Sequence, residues 1–387
     1  MQSYRDDFFA WEQVKYGEIF QRRSKTGVST PALPSVEYDD INPGMGTLNK
    51  EPKSKGTSKR GIHFNPGDVL FGKLRPYLKN WLFACFEGVA VGDFWVLTSS
   101  KIDHGFTYSL IQAPEFQYIA NLSSGSKMPR SDWGLVSNAR TFIPTNLSEQ
   151  KSISSVLFGL DTAITLHEEE KRQLERLKSA LLQKMFADKS GYPAVRFSNF
   201  GDKWKQYKLS DIGEIVTGST PPRQHPEYYS DNGVLWVTPT DITDNLISDT
   251  AKKLSVSGTR AAQVVPAGSI LVTCIASIGK NALLLTEGSF NQQINCIVPN
   301  SNKFDSYYLL TESFQWVDPM RRIAGAGTMQ IVNKHNFSEI NTFIPELEEQ
   351  IVIGNIFSKL DSLIALYKQK LEKINILKQC LLQNMFI

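Results

Sequence analysis

The sequence predicts an α+β protein: two β-rich globular domains, each followed by a long helix, with the two helices pairing as a coiled coil. Three observations carry this expectation. Residues 150–186 and 350–386 match at a constant offset of 200, where Ile153, Leu160, Asp161, Ile164, Leu166, Leu177, Lys178, Leu181, Leu182, Gln183, Met185 and Phe186 each meet their own kind. Packing alone produces shared heptads, but not Leu-Asp at one point and Leu-Leu-Gln-x-Met-Phe at another, so the chain is a tandem duplication. Short β-branched runs punctuated by turns precede the first helix, and Trp204 to Ile212 restarts the pattern of Trp11 to Ile19.

The first domain is expected over residues 1–147. Residues 69–71, 81–86, 89–91 and 94–98 look like strands parted by turns at 65–68, 87–88 and 92–93. Residues 102–120 suit a helix interrupted near Pro114. Residues 141–144 form a proline-marked strand that leads into the first long helix at 148–186, with Asn146 or Ser148 as N-cap. Roughly 39 residues at about 1.5 Å each make roughly 58 Å of helix, longer than one small domain holds alone. Ile153, Leu160, His167, Leu174 and Leu181 fit heptad position a, and Val156, Ala163, Glu170, Leu177 and Lys184 fit d. In the second copy a is Ile353, Leu360, Tyr367, Ile374 and Leu381, and d is Ile356, Leu363, Lys370, Leu377 and Asn384. Leu157, Ile164, Met185, Phe357, Ile364 and Met385 widen the stripe, so Ile153, Leu160, Leu177, Leu181, Met185, Ile353, Leu360, Leu377, Leu381 and Met385 are expected at helix or partner contacts. Residues 187–203, with Gly191, Pro193 and Gly201, read as a linker, 204–346 as the second domain and 347–387 as the second long helix. The offset shifts from 193 to 201 between Ile212 and Asp241, placing an eight-residue insertion near 226–233.

Composition is that of an ordinary globular chain, 41% hydrophobic and 21% charged, with a net charge of +3 that permits a polyanionic partner without requiring one. Cys85, Cys274, Cys296 and Cys380 are scattered, with no C-x-x-C, which fits a reducing, cytoplasmic setting and suggests neither zinc nor a disulfide framework. No signal peptide or membrane span is expected: the N-terminus is acidic, and the most apolar run, 81–97, is broken by Glu87 and Asp93.

No catalytic constellation emerges. Gly67 to Lys73 nearly spells a phosphate loop, but Leu74 stands where the Ser or Thr belongs, and the glycines flank a strand-like run. There is no Asn-Pro-Pro-aromatic motif and no glycine-rich turn for S-adenosylmethionine. The five histidines lack metal-ligand spacing.

Signals for DNA contact are better. Lys50, Lys53, Lys55, Lys59 and Arg60 line a Pro- and Gly-containing stretch suited to neutralising phosphates, and equally to a plain solvated loop. Lys73, Arg75 and Lys79 surround Pro76-Tyr77. Lys127 and Arg130 lie in a small-residue loop whose counterpart holds Gln330; side chains there reach base edges if the loops face DNA. In the second domain Thr220 and Arg223, Thr238, Lys280, and the amides Asn291 and Gln292 stand in polar loops, where Asn or Gln suits bidentate reading of adenine and a strand-edge role fits as well.

These residues resemble those of the specificity subunits of type I restriction–modification enzymes. The supporting motifs are Thr217-Gly-x-Thr-Pro221, Trp236-Val-Thr-Pro-x-Asp-Ile242, Gly268-x-Ile-Leu271 with Ile278-Gly-Lys280, Asn291-Gln-Gln-Ile294, Phe343-Ile-Pro345 and Leu381-Leu-Gln-x-Met-Phe386. The first domain has looser versions in Asp40-Ile41, Gly67-Asp-Val-Leu70 and Phe142-Ile-Pro144 and lacks the Thr-Gly-x-Thr-Pro element. The resemblance implies a non-catalytic DNA-binding subunit in which each globular domain is a target recognition domain for one half of a bipartite site. It implies antiparallel helices relating the domains by a pseudo-twofold axis, and half-sites spaced between about one helical turn and about 17 bp. The partners it implies are double-stranded DNA, two adenine-N6 methyltransferase subunits and two motor-nuclease restriction subunits. It implies no cofactor here, with S-adenosylmethionine, ATP and Mg2+ on those partners. A recognition part of a fused methyltransferase–nuclease, and a coiled-coil adaptor without nucleic acid, are the competing classes. One further expectation concerns register: Glu170 and Lys370, unlike charges at equivalent mid-helix positions, pair across the seam.

Overall fold

The computed structural model describes residues 11–52, 58–122, 128–222, 224–325 and 330–386. It divides into two compact units, residues 1–170 with 367–387, and residues 171–366. Both units therefore hold a piece of each long helix.

In the first unit, strand Trp11–Lys15 pairs antiparallel with Arg140–Pro144, which closes the domain just before its long helix begins. One sheet has the order Thr26–Val28, Arg60–Phe64, Gly88–Ala90, Ser35–Val36. The other has the order Gln21–Arg22, Phe94–Thr98, Val69–Gly72, Trp81–Phe83. Alternation along the second sheet explains how its apolar runs are used. Leu70, Leu82, Phe94 and Val96 meet Phe64 and Ala90 of the first sheet, whereas Val69, Phe71, Trp81, Trp95 and Leu97 face helical residues such as Phe106, Leu110 and Phe116. The helix expected to break near Pro114 does so, as His104–Gln112 and Pro114–Ala120, with proline in the first turn where its missing N–H costs nothing.

The second unit repeats the plan with five-stranded sheets. Lys205–Lys208 pairs with Asn341–Ile344. Ile270 and Val272 face the helices while Leu271 faces Val237 and Phe290 of the other sheet. Gly218 follows strand Gly213–Thr217 where a Cβ would lie 2.3 Å from the Asn291 carbonyl oxygen, so only glycine lets these segments pass.

The long helices are Leu147–Lys184 and Leu347–Met385. Asn146 Oδ1 caps the first by accepting the Ser148 N–H at 2.8 Å. A matched glutamine ties each helix to its own domain. Gln150 accepts the Asp103 N–H and donates to the Pro144 carbonyl, both at 2.8 Å. Gln350 accepts the Asp305 N–H at 2.9 Å and donates to the Pro345 and Lys303 carbonyls at 2.9 and 3.1 Å.

The helices run antiparallel in each unit: Asp161 and His167 of the first meet Lys378 and Tyr367 of the second, and Lys178 and Phe186 meet Asp361 and Phe357. The second row of the expected heptad is corrected by one residue. The covered rows are Ile153, Leu160, His167, Leu174, Leu181 and Leu157, Ile164, Lys171, Lys178, Met185, with the matching rows in the second helix. Leu177 and Leu377, expected at contacts, are 48% and 49% exposed and point away from the seam, as does Val156 at 50%. A 3–4 spacing has two phases, three or four residues after each a position, and the antiparallel crossing selects the latter.

The expected Glu170–Lys370 pair is replaced as well. Glu170 accepts from His167 on its own helix at 2.9 Å, and Lys370 lies 5.3 Å from the centre of the Tyr367 ring. The ion pairs across the seam are Asp161–Lys378 and Lys178–Asp361, each 2.5 Å, with side chains 11–18% exposed. They are equivalents at the offset of 200, each joining the aspartate of one copy to the lysine of the other. That accounts for Asp and Lys recurring at these positions. Burial raises the Asp161 carboxyl above its ordinary range against the opposing pull of Lys378.

Candidate nucleic-acid interface

In the first unit, three loops are laced by backbone hydrogen bonds. Lys73 N–H donates to the Asp93 carbonyl at 2.9 Å, Ser131 N–H to the Lys73 carbonyl at 2.8 Å, and Arg75 N–H to the Pro129 carbonyl at 2.7 Å. The lattice gathers Lys73, Arg75 and Arg130, and Lys79 closes the turn that follows Arg75. Asp93 sits among them, 2.8 Å from an Arg130 Nη and 3.7 Å from Lys73 Nζ. Tyr38 braces this turn from below, its hydroxyl donating to the Asp93 carbonyl at 2.6 Å and accepting the Leu74 N–H at 3.2 Å. Burial pushes that phenol up to about 12, so it stays a donor at any physiological pH. Arg75 and Lys79 have φ of 50° and 57°, left-handed backbone without glycine, and they flank a Pro76–Leu78 turn that leaves Tyr77 56% exposed. Such strain costs about 1 kcal/mol or more per residue and collects at functional loops.

The basic stretch before strand Arg60–Phe64 fares differently. Lys53, Lys55 and, in the other loop, Lys127 lie outside the described residues, as does Arg223. Lys50 is paired with Asp40 at 3.2 Å, Lys59 with Glu37 at 2.6 Å, and Arg60 donates to Thr26 Oγ1 at 3.1 Å. The flanks of this stretch are thus locally neutralised, although exposed pairs are weak and readily exchanged.

The second unit builds the same lattice. Cys274 N–H donates to the Gln293 carbonyl at 2.8 Å, Val332 N–H to the Cys274 carbonyl at 2.9 Å, and Ala276 N–H to the Gln330 carbonyl at 3.1 Å. Ala276, with φ 62°, repeats the left-handed backbone of Arg75. Around this lattice stand the residues expected from sequence. Thr220 hydrogen-bonds the exposed Gln292, Thr238 donates from N and Oγ1 to Asp241, Lys280 Nζ donates to the Pro239 carbonyl at 3.0 Å, and Gln330 donates to the Gly325 carbonyl at 3.2 Å. Asn291 is corrected as a base reader. It is 9% exposed, its Nδ2 donates to Gln293 Oε1 at 3.1 Å and its Oδ1 accepts the Gln293 N–H at 3.0 Å, so the amide is committed to its own turn.

Sequence reading passed over Arg22 and Arg23. They line an open cleft of about 960 Å³ with Lys73, Trp95 and Trp133, and the Arg22 guanidinium lies 4.5 Å from the centre of the Trp133 ring. Arg23 forks onto buried Asp68 at 2.5 and 2.9 Å. The run Arg22-Arg23-Ser24-Lys25 was the available signal. The same Asp68 accepts the Asn65 N–H at 2.7 Å, so the near phosphate-loop motif is spent on a turn between strands. Among the described residues, no group of three or more His, Cys, Asp or Glu is placed to hold a metal, and no helix is long and apolar enough to cross a membrane.

Comparison with known proteins agrees with this architecture. The HindI specificity subunit of Haemophilus influenzae is 24% identical over 87% of this chain and 90% of its own. The type I restriction–modification S subunit from M. genitalium superposes over 100% of this chain and 98% of its own, with a TM-score of 0.68 at 12% identity. A structure described as the basis of complex assembly and conformational transition of the type I R-M system superposes over 96% of both chains, with a TM-score of 0.55 at 17% identity. Residues 201–375 match the family described as the type I restriction modification DNA specificity domain, and over most of its length the chain is similar to the specificity subunit of Haemophilus influenzae named above.

Proposed function

We propose that each unit reads one half of a bipartite DNA target, that the paired helices set the gap between half-sites, and that the chain recruits adenine-N6 methyltransferase and motor-nuclease subunits in the cytoplasm. S-adenosylmethionine, ATP and Mg2+ act on those partners. The observation that carries this reading is the repeated lattice, the same loop scaffold in both units dressed with different side chains. A shared scaffold suits two contacts with the same duplex, and different dressing suits two sequences. Exposed apolar residues on the helices, such as Leu166, Leu177, Leu366 and Leu377, offer surface for partner chains.

Methylome sequencing of cells expressing this chain with its methyltransferase tests the proposal. A split motif with methyl-adenine on opposite strands is expected, and replacing residues 204–345 by another such domain should alter one half only. Gel shifts over a salt series should weaken steeply as salt rises. No DNA dependence with or without the methyltransferase would overturn the proposal.

A further inference from the structure

Resting on that reading, we infer that Arg130, held by Asp93, is a base-reading residue for guanine in the first half-site. The duplication supplies the argument. A shared loop scaffold serves both half-sites, while a base reader must change with the sequence it reads. On the matched lattice Arg130 stands opposite Ile331, Arg75 opposite Ala276 and Lys73 opposite Cys274. Asp93 is likewise replaced by Gln293 on the same lattice bond, Lys73 N–H to Asp93 carbonyl in one unit and Cys274 N–H to Gln293 carbonyl in the other.

The geometry supports a reader. Arg130 is fixed through the backbone, its residue bridged to Leu74 and the next N–H bonded to the Lys73 carbonyl at 2.8 Å. Its guanidinium is anchored by one Nη to Asp93 at 2.8 Å while the side chain remains 61% exposed. A carboxylate that immobilises a guanidinium removes rotamer freedom before binding and leaves the remaining donors of the fork outward. Two parallel N–H donors match O6 and N7 of guanine. Asp93 can serve as this support because its carbonyl is held by both Lys73 N–H and Tyr38 Oη.

The test uses the full chain with its methyltransferase subunits, and duplexes carrying the sequence that the wild-type complex selects from a random library. Arg130→Lys should lose roughly 5- to 150-fold in preference at one G·C pair of one half-site and leave the other half untouched. Asp93→Asn keeps the carbonyl bonds, so the loops stay in place. It should lower discrimination at that same pair while binding to random duplex holds or rises, because a negative charge has been removed. Uniform weakening by Arg130→Lys, or a gain by Asp93→Asn shared equally by selected and random duplexes, would show a phosphate contact and overturn the inference alone. If the wild-type complex selects no sequence, the proposed function falls with it.

Discussion

Lysine 378 offers the sharpest test of how the helices are joined. Its Nζ lies 2.5 Å from Asp161 Oδ1 and 2.7 Å from Gln112 Oε1, with lysine and aspartate side chains each 11% exposed. At that distance and an effective dielectric near 20, the Coulomb attraction is roughly 7 kcal/mol, most of which offsets desolvation of the two ions. Removing one partner strands the other. Lys378→Met should cost the first unit about 3 kcal/mol at pH 8, because Asp161 Oδ2 already has no hydrogen-bond partner and the carboxylate would have none. The equivalent Lys178→Met should cost less, since the Tyr307 hydroxyl still donates to Asp361 Oδ2 at 2.8 Å. The double variant Asp161→Leu/Lys378→Met should return to wild-type stability or exceed it. A carboxyl raised by burial binds its proton more tightly in the native than the unfolded state, so the Lys378→Met deficit should shrink as pH falls. Calorimetry gives the sizes, about 2–4 °C per kcal/mol for units of this length. Hydrogen exchange of the His104–Gln112 helix places the effect in the first unit. A double variant no more stable than Lys378→Met alone would refute the account of a buried, mutually dependent pair.

Three further outcomes are expected. The corrected heptad phase predicts that Leu157→Ala costs about 2–5 kcal/mol and Leu177→Ala no more than about 0.5 kcal/mol, because their exposures are 1% and 48%; chemical denaturation that ranks them the other way would restore the first phase. Burial raises Glu312 from 4.5 to about 8, partly opposed by the hydrogen bond from Thr342. Between those values the native state keeps a proton that the unfolded state has lost, so stability should fall by about 1.4 kcal/mol per unit as pH rises through that window; Glu312→Gln should flatten the profile, and an unchanged slope would contradict it. Gln350→Ala removes three hydrogen bonds at the domain–helix junction and should cost about 2–4 kcal/mol, read as faster exchange of the Asp305 amide; unaltered exchange there would mean that the glutamine does not tie the helix.

Repetition and periodicity made much of this protein readable in one dimension. The duplication, the two long helices, the break at Pro114 and the strands at 69–72 and 94–98 follow from short-range rules, since local backbone geometry dictates which spacings of apolar and turn residues are usable. The loops expected to contact DNA were also visible as basic or amide-rich runs between strands, and the lattice gathers Lys73, Arg75 and Arg130 in one unit and the turns of Gln292 and Gln330 in the other. Tertiary structure decided what depends on residues far apart in the chain. Asn291 looks like a free amide until its turn closes on Gln293, and Asp93 looks like a stray acid until residue 130 arrives beside it. The helices show this most plainly. Their 3.5-residue period leaves two phases open, and Asp161 and Lys178 read as surface charges on one helix. Only the antiparallel partner brings Lys378 and Asp361 against them, selects the phase and turns four ordinary charges into two buried pairs.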